Sequence, residues 1–77
     1  MPPEEAISVL ERYIREFPGD EEALVVRGQK YWILGRRKEA INDYLAALAI
    51  NPKSKAKMLL DYSNSILDFY SKDLLNP

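Results

Sequence analysis

Between Glu21 and Ser54 the chain reads EEALVVRGQKYWILGRRKEAINDYLAALAINPKS. Asp20 stands just before it as an N-cap, and Glu21 and Glu22 occupy the first turn, where carboxylates complement the positive end of the helix dipole. Apolar residues then recur at helical spacing rather than in alternation. Gly35 interrupts the pattern, and glycine readily takes the left-handed conformation that closes a helix. A second helical segment runs from about Arg37 to Ile50, with Ala40, Ile41, Tyr44, Ala47 and Leu48 on one face. Pro52 ends it, because the residue before a proline is pushed out of the helical region. The stretch is predicted to be a helix–turn–helix.

The same pattern extends outward on both sides. Upstream, Ala6, Leu10, Tyr13, Ile14 and Phe17 form one continuous stripe, with Pro3 placed where a missing N–H costs nothing. Pro18-Gly19-Asp20 breaks that helix. Downstream, Ser54 reads as the next N-cap of a segment from about Lys55 to Ser71. That segment carries Leu59, Tyr62, Ile66 and Phe69 on one stripe, with Leu60, Leu67, Tyr70 and Leu74 beside it. No run alternates with period two, and the breaks are short. The chain is predicted to be all-α, with about four helices and antiparallel neighbours.

Sliding the chain against itself by 34 positions sharpens this. Glu5-Ala6-Ile7 falls on Glu39-Ala40-Ile41, Pro18 on Pro52, and the cap Asp20 on the cap Ser54. Leu10 meets Tyr44, Ile14 meets Leu48, and Leu24-Val25-Val26 meets Met58-Leu59-Leu60. The sequence resembles the tetratricopeptide repeat family, whose unit is a helix–turn–helix of this period. Residues 21–54 form one full unit. The family's W-x2-L-G-x2-Y opening stands here as Leu24, Arg27, Gly28 and Tyr31; its A-x3-F and closing proline stand as Ala40, Tyr44 and Pro52, with Ala47 at the small-residue site between. Gly28 and Ala40 lack bulk, so the two helices can approach, and Leu24, Tyr31 and Tyr44 fill the space around them. The resemblance implies a right-handed superhelical array.

Residues 3–18 match only the second helix of a preceding unit, and residues 55–72 only the first helix of a following one. There Tyr62 and Ser65 stand where the family has glycine and an aromatic, which suits a C-terminal capping helix. About two units fall below the three or so that commonly sustain an array, so the sequence suggests a fragment of a longer repeat chain or a module that pairs with something else. Arg27 departs from the family's leucine. Its counterpart one period on is Asp61, and equivalent helices lie side by side in such arrays, so an Arg27–Asp61 pair is expected, with Lys30 nearby; the alternative is that Arg27 extends to solvent.

Composition narrows the function. The 77 residues carry 11 basic and 12 acidic side chains, no cysteine and no histidine. Disulfides and thiolate chemistry are excluded, and the commonest general base and metal ligand are missing. Three glycines fit no phosphate-binding loop. Glu4 with Glu5 and Glu21 with Glu22 are adjacent on helices and do not face each other, so they serve the dipole rather than acid–base chemistry. Asp61 and Asp68 lack the company that calcium requires. Neither an enzyme nor a cofactor or metal site is expected. With a net charge of −1, nucleic acid is not the expected partner. No apolar run approaches a membrane span and no basic leader precedes one, so a cytoplasmic protein without membrane contact is expected.

In the family that the sequence resembles, the first helix of each unit lines a concave groove for a partner's peptide or helix. The matching positions are Val25, Val26, Gln29, Trp32 and Ile33, continued by Leu59, Leu60, Ser63, Ile66 and Leu67. No lysine, arginine or asparagine stands among them, which removes the clamp that some members use for terminal carboxylates. An apolar groove favours another hydrophobic surface, and surplus apolar surface marks an interface. The plainer alternative is that these side chains are core, with Trp32 folded over the domain's end. The expected role is protein–protein interaction, with a second copy of the chain among the candidate partners. A different role, as an anion- or RNA-contacting adaptor, would rest on Arg36-Arg37-Lys38 at a helix start, where backbone N–H groups can hold an anion.

Overall fold

The computed structural model describes the backbone of residues 1–75 and the side chains of residues 1–65. Four helices follow one another: α1, Pro3–Glu16; α2, Glu21–Ile33; α3, Arg37–Ile50; and α4, Ala56–Leu75. No strand occurs among the described residues. The architecture is an all-α array of antiparallel helices, as the 34-residue period predicts.

Each boundary has a local cause. Pro3 opens α1, and the Ala6 N–H donates to the Pro2 carbonyl at 3.0 Å. Asp20 caps α2, its Oδ1 accepting from the Ala23 N–H at 3.2 Å. Its Oδ2 accepts from the Tyr13 hydroxyl at 2.5 Å, which ties the cap back to α1. The Tyr13 hydroxyl first, and the Ala23 N–H second, hold the Asp20 carboxyl below its ordinary range. Asn51, extended before Pro52, closes α3, and its N–H donates to the Ala47 carbonyl at 2.9 Å. Ser54 then starts α4, its Oγ accepting from the Ala56 N–H at 3.1 Å.

Gly35 ends α2 at a φ of +77°. Its N–H donates to the Trp32 carbonyl at 3.0 Å, and the Arg36 N–H reaches the Tyr31 carbonyl at 2.9 Å. These two bonds are the Schellman closure, and they satisfy carbonyls that the helix end would otherwise leave orphaned. A Cβ here would have room but the wrong backbone. Gly35→Ala is therefore expected to cost about 1 kcal/mol, a fall in melting temperature of roughly 4–8 °C for a domain of this size. An unchanged thermal melt by circular dichroism would show that the turn relaxes freely.

Helices α2 and α3 form the most extensively packed pair, with α1 against α2 and α4 against α3. Leu24, Val25, Tyr31, Ala40, Tyr44 and Ala47 make the centre of the core, joined by Ile7 from α1 and Ala56 from α4. The contact is close because Gly28 has no side chain. A Cβ built there would lie 2.6 Å from Tyr44 Cε1 and 3.2 Å from the Ala40 carbonyl oxygen.

The expected Arg27–Asp61 pair is not what forms. Arg27 instead grips Asp43 of α3, with Nε to Oδ2 at 2.8 Å and Nη2 to Oδ1 at 2.7 Å, a bidentate fork. The reason is geometric. Asp43 lies on the buried face of α3, directly across the helical hairpin, and its carboxylate needs donors once it leaves water. Asp61 is exposed and makes no such demand.

Candidate protein-binding groove

The first helix of the full unit presents different residues in different directions. Val25 is wholly buried and belongs to the core. Val26 turns toward α1, beside Leu10 and Ala23. Gln29, Trp32 and Ile33 face a cavity of about 250 Å³ that Leu59, Tyr62 and Ser63 of α4 wall from the other side. Tyr44 of α3 forms part of this lining from below, so three helices contribute to one apolar hollow. Ile33 is 65% exposed, unusual for a side chain of its size and not required by packing.

Within α4, Leu59 packs partly against the core and lines the hollow, and Leu60 lies partly buried against the core without lining it. Ser63 is buried and donates its hydroxyl to the Leu59 carbonyl at 2.8 Å, the back-bond by which a serine sits in a helix interior. Ile66 and Leu67, also expected at the groove, lie outside the residues whose side chains are described. The hollow thus gathers Gln29, Trp32, Ile33, Leu59 and Ser63 from the expected set. It adds Tyr44 and Tyr62, which the first-helix positions did not suggest. Tyr62 is legible in the sequence as a bulky residue at the family's glycine site, and here it lines the hollow from α4.

The packing residues sit as follows. Leu24, Tyr31, Ala40, Tyr44 and Ala47 are core, Gly28 is buried at the helix contact, and Pro52 is exposed in the turn after α3. Burial pushes the Tyr44 phenol above its ordinary pKa, and burial likewise raises that of Tyr31. The hydrogen bonds that Arg27 donates to Asp43 stabilise its guanidinium and raise its pKa further. All of these groups stay in one protonation state near neutrality. None is poised as an acid or base.

The basic cluster is partly engaged. Arg36 Nε lies 2.5 Å from Glu39 Oε2, and its guanidinium sits 4.9 Å from the centre of the Tyr31 ring. Arg37 lies 4.9 Å from the centre of the Trp32 ring, at the edge of the hollow. Both contacts are cation–π geometry. Lys38 is exposed. Among the described residues, no group of three or more acids is placed to hold a metal ion, and no helix is long and apolar enough to cross a membrane.

Antiparallel helical hairpins stacked side by side, with an apolar hollow between successive first helices, define a helical-repeat scaffold. Residues 21–54 match the family model described as tetratricopeptide repeat, which supports assigning this unit to that family. No curated protein and no solved structure matches the chain. Repeats of this family generally mediate binding between proteins and act as non-enzymatic scaffolds.

Proposed function

We propose that this chain is a protein-interaction module that buries an apolar segment of a partner, a helix or an extended peptide, in the hollow between α2 and α4. The observation that carries this is the exposure of Ile33 and Tyr62 on its two rims, with Trp32, Leu59 and Tyr44 between them. A hollow of about 250 Å³ accepts one or two large apolar side chains rather than a whole helix. Recognition would therefore centre on an anchor residue, with flanking contacts at the rim residues Ile33 and Tyr62. Such anchors dominate the energetics of protein interfaces.

Trp32 is the chain's single tryptophan, so its emission reports directly on the hollow. Titration with a library of amphipathic peptides is expected to shift that emission to the blue for those that bind. Ile33→Asp should weaken those complexes by tenfold or more, and raising the salt concentration should not. Peptides that bind Ile33→Asp as well as the parent chain would sink the proposal. Binding lost at high salt would favour the anion-contacting role of Arg36, Arg37 and Lys38 instead.

A further inference from the structure

A second cavity, of about 340 Å³, opens between α1 and α2, lined chiefly by Val9, Leu10, Tyr13, Asp20 and Glu22. One 34-residue period later these five positions are Asp43, Tyr44, Ala47, Ser54 and Ala56, all buried, whereas the remaining lining residues, Ala23 and Val26, become Lys57, exposed, and Leu60, half-buried. Three of the five touch α2 directly: Asp43 bonds Arg27, the Tyr44 ring abuts Gly28, and Ser54 bonds Glu21. The open cavity is thus the seat that, in the full unit, α2 occupies. A helix of the same kind belongs in it.

The other end of the chain carries such a helix with its partner face open. Met58 and Tyr62 of α4 stand one period after Leu24 and Gly28, which are buried in the hairpin, yet they are 69% and 61% exposed. We propose that α4 of one copy seats in the α1–α2 cavity of the next, so that two half units close into one full repeat across the junction.

Charge supports this occupant. In the full unit Ser54 Oγ donates to Glu21 Oε2 at 2.6 Å. Translated by one period, that contact brings Lys55 of one copy to Asp20 of the next, a pair of opposite sign. Lys53 and Lys57 flank the first; Glu16 and Glu22 flank the second. Bulk is redistributed in the same register. Tyr62 replaces Gly28, while Leu10 replaces Tyr44 and Ser65 replaces Tyr31, so the large residue has moved to the other side of the contact. The ion pair has no counterpart, because Asp61 would face Val9 where Arg27 faces Asp43. The junction is head to tail, so it does not close at two copies unless a ring forms. It shares Tyr62 with the rim of the groove but otherwise uses other residues, chiefly Val9, Leu10 and Met58, so Val9 and Met58 test it apart from the proposed function.

Sedimentation velocity over a concentration series tests this. The parent chain should grow with concentration beyond the dimer. Val9→Glu, which spoils the cavity, and Met58→Glu, which spoils α4, should each weaken association at least tenfold. Neither residue lines the groove, and both are exposed, so helicity by circular dichroism should match the parent. Mixing the two variants should restore a one-to-one complex that stops at two copies, since each retains one intact end. Val9→Arg, placed opposite Asp61, should strengthen association several-fold at low salt. A parent chain that stays monomeric throughout would overturn the proposal, as would a mixture that forms no complex or a Val9→Arg variant that associates more weakly.

Discussion

Arg27→Leu is expected to destabilise the fold by about 3–5 kcal/mol, a large share of the whole for a domain of this size. The substitution leaves the Asp43 carboxylate, whose side chain is only 7% exposed, without the two donors that satisfy it. Asp43→Leu should cost less, about 2 kcal/mol, because removing one partner hurts in proportion to how deeply the other is buried. The Arg27 side chain is 21% exposed and can carry its charge toward water along its own stem. The double variant Arg27→Leu/Asp43→Leu should recover most of the combined loss, since a well-packed apolar pair often equals or exceeds a buried ion pair. Leucine is also what the family prefers at the first of these positions. Urea denaturation of the four proteins gives the coupling energy, and a value near zero would remove the pair from the list of interactions that hold the hairpin.

Gly28→Leu should leave the chain largely unfolded at room temperature. Even a lone Cβ would sit 2.6 Å and 2.9 Å from two carbons of the Tyr44 ring, and 3.2 Å from a backbone oxygen of α3 that cannot yield without moving the helix. Overpacking of this kind costs about 1–3 kcal/mol for small additions and more for a full side chain, against a total stability on the order of 5 kcal/mol. Gly28→Ala is a closer contest. Alanine gains about 1 kcal/mol of helix propensity but collides with the same ring, so a net loss of about 1 kcal/mol is expected. Tyr44 also lines the apolar hollow, so its ring has one direction in which to retreat. Gly28→Ala should therefore perturb Trp32 emission as well as stability. Tyr44→Leu in the same chain should relieve the collision. A Gly28→Leu protein that melts like the parent would refute this account of the helix contact.

Much of this architecture is legible in the sequence because its punctuation is chemical. Asp20, Gly35, Pro52 and Ser54 each force a local geometry that needs no tertiary help, and the four helices follow from them. The partner of Arg27 was less legible. Aligning equivalent helices one period apart brought Asp61 forward, whereas the nearer neighbour is the antiparallel helix of the same hairpin. A signal for it was present: Asp43 stands between Ala40, Tyr44 and Ala47 at helical spacing, so an acid lay on an otherwise apolar face and called for a base. The groove positions divide for a related reason. A first helix flanked by α1 on one side and α3 and α4 on the other must bury more than one of its faces, so Val25 enters the core and Val26 turns to α1, while Trp32 and Ile33 meet the hollow. Periodicity assigns a residue to a helix face; it does not say how many neighbours that face will have.

Among the described residues, the extensively packed helix pairs are all consecutive in the chain. That pattern keeps the loops that must close short, so little chain entropy is spent before contacts begin to form. Chains of this topology fold on the microsecond to millisecond scale, with rates set by local steps rather than by a search for distant partners. The hairpin of α2 and α3, held by Gly28 and the Arg27–Asp43 fork, is the natural nucleus, and α1 and α4 add to it from either side. Substitutions at the fork should then slow folding, whereas those at Tyr13 or Met58 should act mainly on unfolding.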